Sequence, residues 1–342
     1  MTTTLSPLVL QRFFDSNGAP LAAGQLFTYL AGTSTPATTY TDSTGSTPNT
    51  NPIILDAAGQ ANVWLDPNVT YKFVLQSSVS SGSVLQWTVD NIVPAATSAP
   101  PRGYLGGLTL STSGSSTTFS VAAGSCADST NVYMMSLGSS INKTTSAWAV
   151  GTGNGALDTG SIASSTWYHV FLIRRPDTGV VDVLVSLSAT SPSLPTNYSQ
   201  FRRIGSIRTN GSSQWIKFVQ DGDFFQWDTA VADVSATNPG ASAVTRTLTV
   251  PNGVNVIAWV MTGLSAGASG EAVYLSDLAV ADVAASNSNA TLVAAPNANA
   301  GVQATVRTNT ASQIRSRNAI GGATEVLRIT TFGWYDSRGR NA

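Results

Sequence analysis

The sequence predicts an all-β fold: modular β-sandwich and jelly-roll-like domains joined by a Pro/Ser-rich linker. Three observations carry that expectation. Only 10% of the 342 residues are charged, against a usual share of about 25%. Just two glutamates (Glu271, Glu325) and three lysines (Lys72, Lys143, Lys217) are present, so most of the residues that stabilise exposed helices are missing. In their place stand Thr, Val, Ser, Gly and Asn, arranged as short runs alternating in period two between turn residues, the pattern of strands.

The first segment, residues 1–93, opens with Phe-Phe-Asp and an Asn17-Gly18 pair suited to the positive φ angles of a tight turn. Gln25 to Tyr29 then alternates as a strand, and so do "ANVWLDPNVTYKFVLQSS" and "VLQWTVDNIVP". Alternation puts Trp64, Tyr71, Phe73, Leu75, Trp87 and Val89 inward. "QRFFDSNGAPLAAGQLFTYLAGTSTPATTYTDSTGSTPNTNPIILDAAGQANVWLDPNVTYKFVL", followed by "WTVDNI", resembles the N-terminal module of tail fibre and tail spike proteins of tailed bacteriophages. In that family the module attaches the appendage to the particle. The resemblance therefore implies docking, with Phe13, Phe14, Tyr29, Trp64, Tyr71 and Trp87 as core and docking residues of the module.

Residues 94–107 read as a linker, because the prolines of "VPAATSAPPRGYLGG" hold extended backbone and its small residues have little to bury. Residues 108–230 read as a middle sandwich. "STWYHVFLIRRP" and "VVDVLVSLS" are strands joined by a Pro176-Asp177-Thr178-Gly179 turn. Trp167, His169, Phe171 and Ile173 fall on one face, Tyr168, Val170 and Leu172 on the other, so both faces are expected to be covered. Thr-Trp-Tyr-His-Val resembles a strand of laminin-G-like and legume-lectin-like sandwiches. The longer run from Gly155 to Ile207 is similar to a segment of phage tail proteins. Residues 231–342 read as a C-terminal, jelly-roll-like sandwich built from "TRTLTVPNGVNVIAWVMTG", "EAVYLSDLAVADV", "GVQATVRTN" and "EVLRITTFGWYDSRGR".

Candidate chemistry is sparse. His169 is the single histidine; a catalytic base needs an orienting carboxylate and a nucleophile or substrate proton, while a strand position argues for packing. Paired acids beside aromatics, as in "VQDGDFFQWD" with Asp221, Asp223 and Asp228, or Glu271 further on, are the residue types of glycan cleavage, but Asp-Gly-Asp is also an ordinary turn. Trp215, Trp227 and Trp334 are the candidates for stacking on sugars, although Phe225 and Trp227 also alternate as core residues. The arginine-rich C-terminal stretch, Arg315 and Arg317 included, is a candidate contact for a neighbouring subunit or an anionic surface. "GTGNG" lacks the Lys and following helix of a phosphate loop. No catalytic residue, cofactor or metal site is expected: no twelve-residue calcium loop is present, and the lone Cys126 offers neither a disulfide nor, with one histidine, a structural zinc set.

A formal net charge of −1 gives no general attraction to nucleic acid or anionic membranes, and no apolar run approaches the roughly 18 residues of a membrane span. With no basic start and apolar core at its N-terminus, the chain is expected to be soluble, made in the host cytoplasm without an export signal. The family resemblance implies a non-enzymatic virion protein, a tail fibre or adaptor-type subunit that forms a homotrimer, binds other phage proteins of tail or capsid, and in some members meets a host surface glycan. The rival readings are a lectin-like receptor binder, a head fibre or capsid decoration, and a polysaccharide-degrading spike.

Overall fold

The computed structural model describes residues 4–5, 11–67, 69–94 and 100–340. The fold is all-β: the one helical turn among the described residues is the 3-10 segment Val79–Ser81. The chain divides into two compact units, Met1–Ala99 with Arg175–Val180, and Pro100–Arg174 with Val181–Ala342. Of the expected linker, residues 95–99 lie outside the described residues, and its far end is not linker: Leu105–Gly107 is a strand.

The first unit is built on a four-stranded sheet ordered Ile53–Ile54, Gln25–Leu30, Tyr71–Gln76, Leu85–Ile92. Period-two alternation buries Leu26, Tyr71, Phe73 and Leu75 with Ile53, Leu55, Val63 and Leu65 in one core. Phe13 and Trp87 pack against that core from its side, with their rings 5.9 Å apart. Asn17-Gly18 makes its turn: the Asp15 carbonyl accepts from Gly18 N at 3.1 Å and Gly18 has φ 80°. Several expected inward residues are not inward. Val89 is 47% exposed, Phe14 is exposed, and Trp64 and Tyr29 are only partly covered. Val63 and Leu65, the neighbours of Trp64, fill the core in its place, the outcome of a one-residue difference in strand phase.

The second unit begins with a seven-stranded sheet ordered Leu110–Ser111, Thr118–Val121, Ile141–Ala147, Gly155–Leu157, Val181–Ser186, Trp167–Arg174, Gln200–Arg208. A three-stranded sheet, Met134–Leu137, Gly124–Ala127 and Leu105–Gly107, shares its core through Met135, Cys126 and Leu105. The Pro-Asp-Thr-Gly hairpin forms as expected. Gly179 N donates to Arg175 O at 2.9 Å, Gly179 has φ 74°, and Arg174 pairs with Val181 across the turn. Both faces of Trp167–Arg174 are dry. Tyr168, Val170 and Leu172 join the main core, while Phe171 and Ile173 form a second cluster with Leu184 and Tyr198.

Eight strands from Phe224 to Tyr335 make a jelly roll. Phe224–Thr237, Val326–Tyr335, Ile257–Ser265 and Asn299–Arg307 lie side by side, with the short strand Phe218–Asp221 added beside the first. Val244–Thr247, Gln313–Asn318, Glu271–Ser276 and Leu292–Ala294 form the facing sheet. In chain order this is first-eighth-third-sixth over second-seventh-fourth-fifth, two Greek keys closed on one core. The expected boundary at 230/231 falls inside Phe224–Thr237, and one core runs from Leu105 to Trp334 across it. The middle sandwich and the jelly roll are therefore one packed unit rather than two separable ones.

Candidate functional site

The most chemically loaded region surrounds His169. The ring is fully buried, its Nδ1 lies 2.9 Å from Ser206 Oγ, and its Nε2 has no partner. Strand register places Ser206 directly opposite His169. Arg203 donates to the same hydroxyl at 3.2 Å and grips Asp336 with two bonds of 2.6 Å. Asp336 also accepts from the Arg338 backbone at 2.8 Å, and Arg338 and Arg340 both reach Asp223, the former at 3.0 Å. Arg202 donates to Gly339 O at 2.8 Å.

Serine, histidine and aspartate are all present here, but the arrangement is that of a clasp. Arg203 stands between the serine and the carboxylate, and Gly253 closes the free side of the ring: a methyl group built there would come within 3.2 Å of Nε2. Burial, then the Arg203 charge, lower the His169 pKa to about 4, so at neutral pH the ring is uncharged. Burial alone pushes Asp336 up, but Arg203 and the Arg338 amide outweigh it and leave it below the ordinary carboxylate value. The network ties residues 336–340 onto the seven-stranded sheet, and His169, Ser206, Arg203 and Asp336 at its centre are all buried.

A second buried pair pins the glycine-rich loop. Lys143 Nζ meets Asp182 at 3.1 Å, with both side chains shielded from solvent. The ammonium also donates to Ala149 O at 2.7 Å and Gly151 O at 3.3 Å. Asp182 accepts from Gly151 N at 2.7 Å and from Val183 N at 2.6 Å. "GTGNG" is thus a loop folded over a satisfied ion pair.

Asp228, Asp223 and Glu271, of the other candidate acids, are also engaged. Asp228 pairs with Lys217 at 2.9 Å, and Asp223 is held by Arg338 and Arg340. The buried Glu271 carboxylate accepts from the backbone of Ala272, Ala319, Ile320 and Gly321 at 2.6 to 3.1 Å, which ties the start of Glu271–Ser276 to the segment that follows Gln313–Asn318. Asp221 sits at an exposed hairpin turn opposite Phe224. Among the described residues no group of three His, Cys, Asp or Glu side chains is placed to hold a metal ion.

The expected sugar-stacking tryptophans are core residues. Trp215 and Trp334 are fully buried and Trp227 is 3% exposed. Trp334 stacks on Phe225 at 5.2 Å and meets Trp167 at 5.3 Å and Trp227 at 5.0 Å. Trp215 packs between Phe119 and Tyr168. None of the three can present a ring face to a ligand, because apolar burial of this size outweighs surface display. Arg315 and Arg317 do reach the surface, but both converge on Asp282 of their own chain, and Arg315 also donates to Val280 O at 2.9 Å.

The surface aromatics lie elsewhere. Phe224, Trp259, Phe332 and Tyr335 meet on the outer face of the five-stranded sheet, with ring centroids 4.7 Å apart for Phe224–Tyr335, 5.6 Å for Phe224–Trp259 and 4.9 Å for Trp259–Phe332. The sequence signal for Phe224 was available: once Phe225 and Trp227 are inward, Phe224 must face out. For Ile257 to Met261 the signal is absent, since both strand faces carry apolar residues.

No family model matches this sequence, and no curated protein matches it. Among solved structures the chain is similar to one in "Structure of infectious bursal disease virus Gx strain". The TM-score is 0.22 and the identity 7%, over 99% of this chain and 72% of that one. A likeness at that level carries no argument about fold or function. Among the described residues no helix is long and apolar enough to cross a membrane.

Proposed function

We propose that this chain is a structural subunit of a tailed-bacteriophage particle, a tail fibre or adaptor-type protein. It attaches through residues 1–93, self-associates as a homotrimer, and contacts other proteins of the tail or capsid. The observation that carries the reading is the module-length sequence resemblance from Gln11 to Ile92, which coincides with a separately cored unit. The second unit is compatible with a binding and scaffolding role: its buried ion pairs, Lys143–Asp182 and Arg203–Asp336, are internal ties, and its jelly roll offers broad sheet faces. Its place is then the virion, and the role needs no cofactor. A host glycan remains a partner of this reading only through residues other than Trp215, Trp227 and Trp334.

The test is incorporation. Mass spectrometry of purified particles should find the full chain in stoichiometric amounts, and a chain lacking residues 1–93 should be lost from the particles while its second unit stays folded. A folded, expressed full-length chain that is absent from particles sinks the proposal.

A further inference from the structure

His169 lies where the two halves of the second unit meet. The seven-stranded sheet supplies the ring itself, Ser206 and Arg203. The jelly roll supplies the turn at Gly253, between Val244–Thr247 and Ile257–Ser265, and the Asp336 carboxylate just beyond its last strand, Val326–Tyr335. Over Nε2 the seam is closed by very little. A methyl group built on Gly253 would lie 3.2 Å from Nε2 and 3.0 Å from Ala189 Cβ, so ring, turn and Ala189 are neighbours. The ring is fully buried, yet Gly253 and Asn252 are exposed. One residue of backbone therefore separates Nε2 from solvent. That residue is fastened by its N–H, which donates to Thr310 O at 2.7 Å, while Val250 and Val256 on either side of the turn are fixed in the main core.

The closed seam suits a neutral ring and no other. Neutral imidazole has one N–H and one lone pair, and the Ser206 hydroxyl, 2.9 Å from Nδ1, can serve either. A protonated ring carries N–H on both nitrogens. Nε2, which has no partner, then becomes a buried charged donor facing a glycine and an alanine methyl, a far costlier orphan than a neutral one. The surrounding charges do not relieve it. Gln200–Arg208 presents Arg203, which repels the added charge. The C-terminal stretch presents Asp336, which attracts it, but this carboxylate already accepts two bonds from Arg203 and one from the Arg338 backbone. On Val181–Ser186 the ring faces Ser186, and Asp182 further along is tied to Lys143. Its own strand adds Tyr168 on the opposite face and Arg174 at the far end, bonded to Gln200. Residues 187–191 and 251–255 carry no titratable side chain.

We propose that His169 is an acid-operated latch on this seam: when the ring takes up a proton, the Gly253 turn lifts, water reaches Nε2–H, and the jelly roll loosens from the seven-stranded sheet at that point while both stay folded. The buried valines at either end confine the movement to residues 251–255. Asp336 keeps its hold on Arg203, because a second cation beside the carboxylate adds to its attraction, so residues 336–340 remain seated. Acid thus trades a dry contact between sheet and turn for a hydrated imidazolium at the surface.

Hydrogen exchange of the full chain tests this at one amide. The Gly253 N–H, freed from Thr310 O when the turn lifts, should exchange through a local opening that low urea concentrations leave unchanged. Between pH 7 and pH 5, after correction for the intrinsic exchange rate, its opening constant should rise about twentyfold in the wild type, as expected for a ring that titrates near 6.5 when open and near 4 when closed. The Arg338 amide, held on Asp336, should show no such urea-independent rise, and His169→Gln should abolish the rise at Gly253. Three results overturn the inference: a Gly253 amide that exchanges only with the slowest core amides and in step with urea, a wild-type opening constant that is the same at both pH values, or an equal rise in wild type and His169→Gln. The first two are read from the wild type alone, so a variant that fails to fold does not shield the latch from refutation.

Discussion

His169 gives a stability prediction whose sign and size both follow from its surroundings. The ring is buried beside the Arg203 guanidinium, and together these lower its pKa from 6.5 to about 4, with Asp336 opposing. The folded value lies below the unfolded one, so the unfolded chain binds the extra proton between them. Stability from this group is complete above about pH 6.5 and drains away as pH falls toward 4. At roughly 1.4 kcal/mol per pKa unit the full effect is about 3 kcal/mol, of which about 2 kcal/mol is lost between pH 7 and pH 5. The shifted carboxylates do not interfere, because Asp42, Asp177, Asp277 and Asp336 are all moved downward and titrate below this window. Urea unfolding followed by tryptophan fluorescence, at pH 7 and pH 5, reads the difference directly. The wild type should lose about 2 kcal/mol between the two, and His169→Gln, which cannot titrate but can still reach the Ser206 hydroxyl, should lose less than about 0.5 kcal/mol. Equal losses in the two proteins refute the reasoning, whatever the absolute stability of the variant.

Three further substitutions probe the internal ties. Asp182→Ala strands the buried Lys143 ammonium and should cost about 3–5 kcal/mol by urea denaturation, while replacing both partners with apolar residues of similar volume should cost clearly less; a near-neutral single variant contradicts the buried-pair account. Trp334→Ala removes the centre of the aromatic cluster and should cost about 3–5 kcal/mol, whereas unchanged thermal stability with lost sugar binding would restore it as a ligand contact. Gly179→Val forces a β-branched residue into φ 74° and should lower stability by about 1–2 kcal/mol, read from the urea midpoint.

What the sequence disclosed divides along physical lines. The all-β fold was legible because scarcity of Glu and Lys leaves little to support helices, and the 167–186 hairpin because Pro, Asp and Gly each have a defined job in its turn. Facing was harder. Trp227 reads both as core and as a ligand platform, and Trp334 as a platform, since alternation fixes relative phase and not which face is wet. The boundary expected at 230/231 falls inside the jelly roll's first strand, which carries register shifts between Gln226 and Val231 and between Ala232 and Val234. Long-range charge pairing left no local trace: Arg203 meets Asp336 across 133 positions, and of the C-terminal arginines Arg307, Arg315, Arg317, Arg338 and Arg340 find Asp277, Asp282 and Asp223. The outer aromatic face escaped for the same reason as the tryptophans, with Trp259 and Met261 alternating with equally apolar Ala258 and Val260.

Cryo-electron microscopy of the particles to which the proposed function assigns this chain puts the central claim to the most direct test. The account predicts density for the jelly roll projecting from tail or capsid, joined to the particle by residues 1–93 and repeated with the symmetry of a self-associated appendage. Particles that lack this density, or that hold the chain by its second unit with residues 1–93 free in solvent, contradict it.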